Sequence, residues 1–405
     1  MVRKPYRPKA FSVMAKPVGA SCNLGCEYCY YLEKSSLLFQ PPAPRMSDSV
    51  LESFVRQYIE ASPFEVVEFS WQGGEPTLAG LPFYRKAVQF QRKYASGKRI
   101  SNNLQTNGTQ IDSEWAEFLA ENRFLVGISI DGPEKLHNAH RANKAGAGAY
   151  AATMKGLEHL LRHRVDVNAL TVVSRTNSAY PLEVYGHLKS VGLKFIQFVP
   201  VVERFNDLDM LASPDRNEAS RVTSWSVIPD HYGSFLVTIF DEWIRKDVGR
   251  VFVQLFDVAL NAWMGYEPPL CWFSKACGNA LVLEYNGDLF SCDHFVYPAY
   301  FLGNIQDDSL ALLSQSEKQR DFGSTKSQLP QYCQNCAVLF ACNGECPKKR
   351  FAKTPSGEPR LNYLCPAYKR FFRHVDPYMK RMVKHIRYGR PASEIMVDLA
   401  RGKPL

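Results

Sequence analysis

The eleven cysteines of this 405-residue chain fall into two blocks, and that division restricts the fold more than any other feature. Cys22-x3-Cys26-x2-Cys29 stands near the N-terminus, and after a long cysteine-free stretch the other eight run from Cys271 to Cys365. Three thiolates leave one corner of a four-iron cluster unligated, which is what a reactive site needs; eight make two full sets of four, suited to closed clusters that store or relay electrons. Disulfides account for the pattern poorly, because the count is odd, the gaps are wide and uneven, and the chain far exceeds the small secreted scaffolds that depend on them. Structural zinc is the stronger rival, since Cys333-x2-Cys336-x5-Cys342-x3-Cys346 has the ligand set of a zinc ribbon. Zinc leaves the first block unexplained: Asn23, Glu27 and tyrosines surround it, with no histidine as fourth ligand.

An apolar content of 45% with 13% aromatic residues is that of a compact globular protein, and the length allows two domains. The opening run MVRKPYRPKAFSVMAKPVGA never forms the apolar stretch of a signal peptide, and no segment reaches the length of a membrane span. The expectation is a cytoplasmic protein with no membrane association. A net charge of +9 is spread along the chain without a basic block, which reads as a solvated face rather than a nucleic-acid surface.

From Phe11 to Pro200, short β-rich runs alternate with amphipathic helical ones. Strands are expected at 11–18, 65–71, 99–106, 125–130, 165–173 and 194–200, and helices at 48–61, 82–95, 112–122, 150–164 and 178–191. Such a succession predicts the α/β class, with a parallel sheet and right-handed crossovers wound into a partial (β/α)6 barrel. Chemistry in these folds sits on loops at the C-terminal ends of strands. Cys22–Cys29 follows the first strand, Gly73-Gly74-Glu75-Pro76 the second, Gln105-Thr106-Asn107-Gly108 the third, and Ser129-Ile130-Asp131-Gly132 ends the fourth. Each alone reads as an ordinary turn; four in register around one mouth point to a site.

Cys22-x3-Cys26-x-Tyr28-Cys29 resembles the signature of the radical S-adenosylmethionine (SAM) enzymes, and Gly73-Gly74-Glu75-Pro76 resembles their SAM-binding loop. Cys277-x9-Gly287-x4-Cys292, the Cys333–Cys346 run and Cys365 are similar to the SPASM extension, which carries two auxiliary clusters. Within that group CNLGCEYCYYLEK, WQGGEP, QTNG, SIDGPEKLH, CDHF, LFACNGECPK and LNYLCP resemble the anaerobic sulfatase-maturating enzymes over nearly the whole chain. The domains expected from the resemblance are a barrel at 1–245, a cysteine-rich α+β SPASM domain at 246–380 and a helical tail at 381–405.

The resemblance implies three 4Fe–4S clusters and SAM, whose reductive cleavage yields a radical able to take an unactivated hydrogen. It implies Cys22, Cys26 and Cys29 as ligands of the open cluster, Cys271, Cys277, Cys292 and Cys346 as ligands of the nearer closed one, and Cys333, Cys336, Cys342 and Cys365 of the outer one. Spacing alone groups Cys346 with the ribbon instead. Tyr28, Gly73, Gly74, Glu75, Ser129, Arg141 and Val202 are the implied SAM positions. The two glycines would let backbone come close to SAM, and Glu75 or its neighbours would accept from its ammonium.

An aspartate beside a cysteine ordinarily caps a turn. The resemblance instead makes Asp293 the general base that deprotonates the substrate side chain, its proton affinity raised by a desolvated pocket. The implied reaction converts a cysteine, or a serine, of an unfolded or nascent sulfatase to formylglycine, with an electron donor such as flavodoxin or ferredoxin. Tyr31, Gln72, Gln105 and Asn107 are candidates for peptide contact, against a plain reading as strand-end hydrogen bonding. The alternative is a radical maturase of another ribosomal peptide. Such enzymes often add a leader-binding domain, and the roughly ten residues before the first strand favour sulfatase maturation.

Overall fold

In the computed structural model, residues 10–402 are described except 32, 39 and 215–220. The first nine residues, part of the run read above for secretion, and the last three of the expected tail lie outside the described residues.

Six strands run parallel and in chain order: β1 (Ser12–Lys16), β2 (Val66–Trp71), β3 (Arg99–Thr106), β4 (Phe124–Ser129), β5 (Asp166–Val173) and β6 (Phe195–Pro200). β1 stops two residues short of the expectation because Pro17 has no N–H to continue a ladder. Crossover helices are α1 (Asp48–Ala61), α2 (Leu81–Tyr94), α3 (Ser113–Glu121), α4 (Tyr150–Arg162) and α5 (Pro181–Ser190). Local chemistry sets their ends. Ser47 caps α1 by accepting from the Val50 amide, and Asp112 caps α3 by accepting from Trp115 at 2.9 Å. Val50, Leu51, Phe54, Val55, Tyr58 and Ile59 give α1 its buried stripe against β2, where Phe54, Phe69 and Trp71 pack edge to face or stacked.

The sheet continues past both ends of this partial barrel. β7 (Phe252–Val253) adds in parallel beyond β6, after the long helix α6 (Pro229–Lys246), and is followed by α7 (Gln254–Trp263). On the other flank β8 (Ala280–Glu284) pairs in parallel with β1, placing Lys16 opposite Glu284. β9 (Asp288–Phe290) and β10 (Phe301–Asn304) extend it antiparallel. The order is β10-β9-β8-β1-β2-β3-β4-β5-β6-β7, one ten-stranded sheet. The cysteine-rich half is thus hydrogen-bonded to the barrel rather than tethered to it. The expected division at 380 falls inside α8, a single helix from Cys365 to Arg387 that packs on α6 and α7.

Candidate active site

The first cysteine block lies on the loop leaving β1. Its backbone is pinned from one side by residues 140–142, with Gly25 donating to Ala142 at 2.8 Å and Glu27 to His140 at 3.1 Å. From the other side the β2 loop closes on it: Gly74 donates to Gly19 at 2.8 Å and Glu75 to Ser21 at 2.7 Å. A Cβ on Gly74 would stand 1.9 Å from the Ser21 carbonyl oxygen, and Gly73 holds φ at +141°. The sequence reading gave these glycines to a close approach by SAM; in the structure the chain that approaches so closely is the cysteine loop itself.

Glu75 is tied into the same frame. It is buried, and its carboxylate accepts from the Thr77 amide (3.0 Å), the Thr77 hydroxyl (2.6 Å), the Thr106 hydroxyl (2.7 Å) and the Asn107 amide (2.8 Å). Those bonds clasp the β2 and β3 loops together, three of them on Oε1 and one on Oε2. Asn107, expected at a peptide, donates instead to Asn23 at 2.9 Å and accepts from Thr109, bracing the cysteine loop. Gln105 donates to Ser129 at 3.3 Å across the gap that Gly127 leaves. Gln72 is half-buried, with its amide on Ala15, and Val202 is buried just past β6.

All eleven cysteines are free of disulfides. Cys22, Cys26 and Cys29 sit within electrostatic reach of one another. In the second half the neighbours sort into two sets: Cys271 with Cys277 and Cys292, and Cys346 with Cys277 and Cys292; separately, Cys333 with Cys336, Cys342 and Cys365. Burial pushes Cys22, Cys342 and Cys346 up to about 12 and Cys26, Cys271 and Cys365 up to about 11, with the adjoining thiols adding to the effect. Sets of buried thiols that oppose one another's ionisation call for a multiply charged cationic centre, so the donor chemistry fits iron–sulfur clusters. Among the described residues no three His, Cys, Asp or Glu side chains converge where one ion could sit, as a zinc site with ligands about 2.3 Å from the metal requires.

The three tyrosines around Cys29 each donate a hydroxyl to a different carboxylate: Tyr28 to Asp131, Tyr30 to Asp293 and Tyr31 to Glu284. Asp131 is also gripped by Arg141 through Nε at 2.8 Å and a second nitrogen at 3.2 Å, and it accepts from the Val172 amide at 2.9 Å. Arg141, expected at the SAM carboxylate, therefore already holds a carboxylate of the chain, with its guanidinium 5.4 Å from the centre of the Tyr28 ring. Tyr31 is 2% exposed, with its hydroxyl on Glu284.

Asp293 takes Lys16 on Oδ1 at 2.6 Å and the Tyr30 hydroxyl on Oδ2. Burial, the largest single influence, pushes its carboxyl up, as the sequence reading supposed, but the Lys16 ammonium, the adjoining His294 and the hydrogen bonds from Lys16 and Tyr30 together outweigh it and hold it down to about 2. A desolvated, raised base is thus corrected to an ion-paired carboxylate, whose use as a base rests on placement. Neither Lys16 nor Tyr30 had been singled out. The available signals were a lysine ending an apolar strand, in FSVMAK, and the doubled tyrosine after Cys29. A cavity of about 580 Å³, lined in part by Ala20, Ser21, Gln40 and Lys144, opens on Cys22.

Residues 17–185 match the Radical SAM superfamily, and residues 271–337 match SPASM, an iron–sulfur cluster-binding domain. The chain is 48% identical over 403 residues to a serine-type anaerobic sulfatase-maturating enzyme of Bacteroides thetaiotaomicron, covering 98% of this chain and 97% of that one. It is 34% identical over 379 residues to a cysteine-type anaerobic sulfatase-maturating enzyme of Clostridium perfringens, covering 93% and 99%. Its fold matches that of native anSMEcpe solved with bound AdoMet and the Cp18Cys peptide, with a TM-score of 0.82 at 33% identity, over 93% of this chain and 99% of that one. Similarity that runs unbroken through both cysteine blocks makes the assignment: the chain belongs to the anaerobic sulfatase-maturating enzymes of the radical SAM superfamily.

Proposed function

We propose that the chain oxidises a serine, or a cysteine, in a sulfatase segment to Cα-formylglycine, activating the sulfatase without oxygen. Its cofactors are three 4Fe–4S clusters and SAM. Cys22, Cys26 and Cys29 are proposed to hold the open cluster, Cys271, Cys277, Cys292 and Cys346 the nearer closed one, and Cys333, Cys336, Cys342 and Cys365 the outer one. When bound, these groups supply one-electron hydrogen abstraction at the open cluster and an electron outlet at the closed ones.

The observation that carries the reading is the position of Asp293. It follows Cys292 in the second half, yet its carboxylate meets Tyr30, next to Cys29 of the first. A peptide side chain held there lies between the two cysteine blocks. The substrate Cβ gives up a hydrogen atom, its hydroxyl or thiol gives a proton to Asp293, and one further electron leaves. Two electrons depart in all, leaving an aldehyde from serine, or a thioaldehyde that water converts to aldehyde and sulfide from cysteine. Loss of the Cβ hydrogen makes the remaining O–H or S–H proton much more acidic, so an ion-paired carboxylate suffices as its acceptor. Lys16 keeps that carboxylate ionised and its second oxygen oriented.

Serine is the proposed target, because the 48%-identical relative is named serine-type and the 34%-identical one cysteine-type. A flavodoxin or ferredoxin is the proposed electron donor and the cytoplasm the proposed location; no helix among the described residues is long and apolar enough to cross a membrane. The test is anaerobic incubation with SAM, a reductant and short serine- and cysteine-type sulfatase peptides, read by mass spectrometry. Aldehyde from the serine peptide is expected. Consumption of SAM with both peptides unchanged would reject formylglycine formation.

A further inference from the structure

Four segments meet in the wall around Asp293: Tyr30, Tyr31, Glu33 and Lys34 beyond the first cysteine loop, Glu203 beyond β6, the turn from Asp293 to Tyr297, and Lys348 beyond Cys346. Tyr30 packs edge-on against His294 at 5.4 Å and lies 4.4 Å from the Lys348 ammonium. Nearly every cation here has an oxygen to hold. Lys16 pairs with Asp293, Lys348 with Glu203, Lys349 with Glu345 at 3.0 Å, and Lys326 donates to the carbonyls of Cys271 and Trp272.

Lys34 is the exception. It is 3% exposed, and its ammonium rests 3.3 Å from the centre of the Tyr297 ring, with no hydrogen bond or ion pair to an oxygen among the described residues. Burial, helped by the adjacent Lys348 charge, pushes it down to about 7, and Glu203, Glu33 and Asp293 offset that only in part. A buried ammonium with one aromatic face as its sole support is costly, and a fold keeps such a group where a ligand completes it. The ligand's side is set by the neighbours. Asp293, the proposed base, faces Lys34 together with Glu203, Glu33 and Lys348, which sets the ammonium beside the proposed reacting side chain of the peptide. An extended peptide crossing this wall would present carbonyl oxygens along its edge.

Resting on the formylglycine reading, we infer that Lys34 is a substrate-binding residue whose ammonium takes a carbonyl or carboxylate oxygen of the peptide, with Tyr297 backing it. The test is fluorescence anisotropy of a labelled serine-type peptide on the cluster-loaded protein, with SAM present and reductant omitted. Lys34→Met should weaken binding about ten-fold or more, as loss of a charge-assisted hydrogen bond does. The same change should raise the thermal midpoint of the peptide-free protein by about one or two degrees, since it removes an unpaired buried charge. A lysine that merely packs would lower it. Lys34→Arg should restore most of the binding, and Lys34→Gln gives a second reading should the Met variant fail to fold. Repeating the titration with the acidic residues of the peptide changed to amides separates the two sources. A loss that persists marks a main-chain carbonyl, and a loss that vanishes marks a carboxylate. Affinity within two-fold of wild type for both peptides overturns the assignment. If wild type binds the peptide but forms no aldehyde on reduction, the formylglycine reading fails and the binding result for Lys34 stands.

Discussion

Two carboxylates flank Cys29, each fed by a neighbouring tyrosine and paired with a buried cation, and they differ in what is left over. Asp131 takes Tyr28, two nitrogens of Arg141 and the Val172 amide, and its side chain is 3% exposed. Asp293 takes one donor on each oxygen, Lys16 and Tyr30, and its side chain is 16% exposed. The first has no room for another proton donor; the second has lone pairs and an opening. A saturated pair fixes the loops that carry the cysteines, and an unsaturated one can work. Residue type alone does not separate them, since both are aspartates in short polar turns.

The largest expected effect tests the frame both pairs serve. Replacing Cys22, Cys26 and Cys29 together by alanine should abolish SAM cleavage and aldehyde alike, measured by chromatography and mass spectrometry; residual cleavage would contradict the division of labour between the blocks. Asp293→Asn comes next. Aldehyde yield should fall by about 10²–10⁴, as when a positioned base is lost, while SAM cleavage stays largely intact. Undiminished aldehyde would remove Asp293 from the role of base. Asp131→Asn should act on the fold instead, leaving Arg141 buried beside a neutral amide at a cost of about 3–5 kcal/mol. Denaturant unfolding and iron content check this, and a variant as stable as wild type breaks the contrast between clasp and working group.

The third carboxylate, Glu284, yields the smallest effect. Burial pushes it up to about 7, against the Tyr31 hydroxyl and Lys16, while an unfolded glutamate sits near about 4.3. Between those values the folded chain keeps a proton that the unfolded chain has lost. Its stabilising contribution is therefore full below about pH 4.3 and is lost as pH rises through about 7. Relative to Glu284→Gln, wild type should lose thermal stability between pH 5 and 7.5, and a difference that stays constant across that range would show that Glu284 does not titrate there.

Strand and helix placement was legible, because apolar periodicity and caps such as Ser47 and Asp112 are local. So was the gathering of glycine-rich loops at one mouth. The grouping of the eight later cysteines was not, since Cys346 lies four residues past Cys342 in the chain but joins Cys277 and Cys292 in space. Glycine requirements were legible as to residue and not as to neighbour: Gly74 meets the Ser21 carbonyl. The state of Asp293 was hidden most deeply. Burial and the Lys16 charge pull its proton affinity in opposite directions, and Lys16 arrives from the far end of the chain through a strand pairing with no sequence motif. β8 and β9 carried a fair signal, alternating residues around Asn286-Gly287, which reads as a hairpin turn.

The pairing of β1 with β8 also bears on how the chain is made. Synthesis lays down β1 among the first elements, but its outer neighbour emerges about 270 residues later, roughly 15–50 s at bacterial translation rates. Through that interval the ribosome-bound chain holds an unpartnered strand edge, a template for association with other chains. Three thiols ride on the loop beside it, and Lys16 still lacks its carboxylates. Protection of the nascent edge follows as a requirement of this topology.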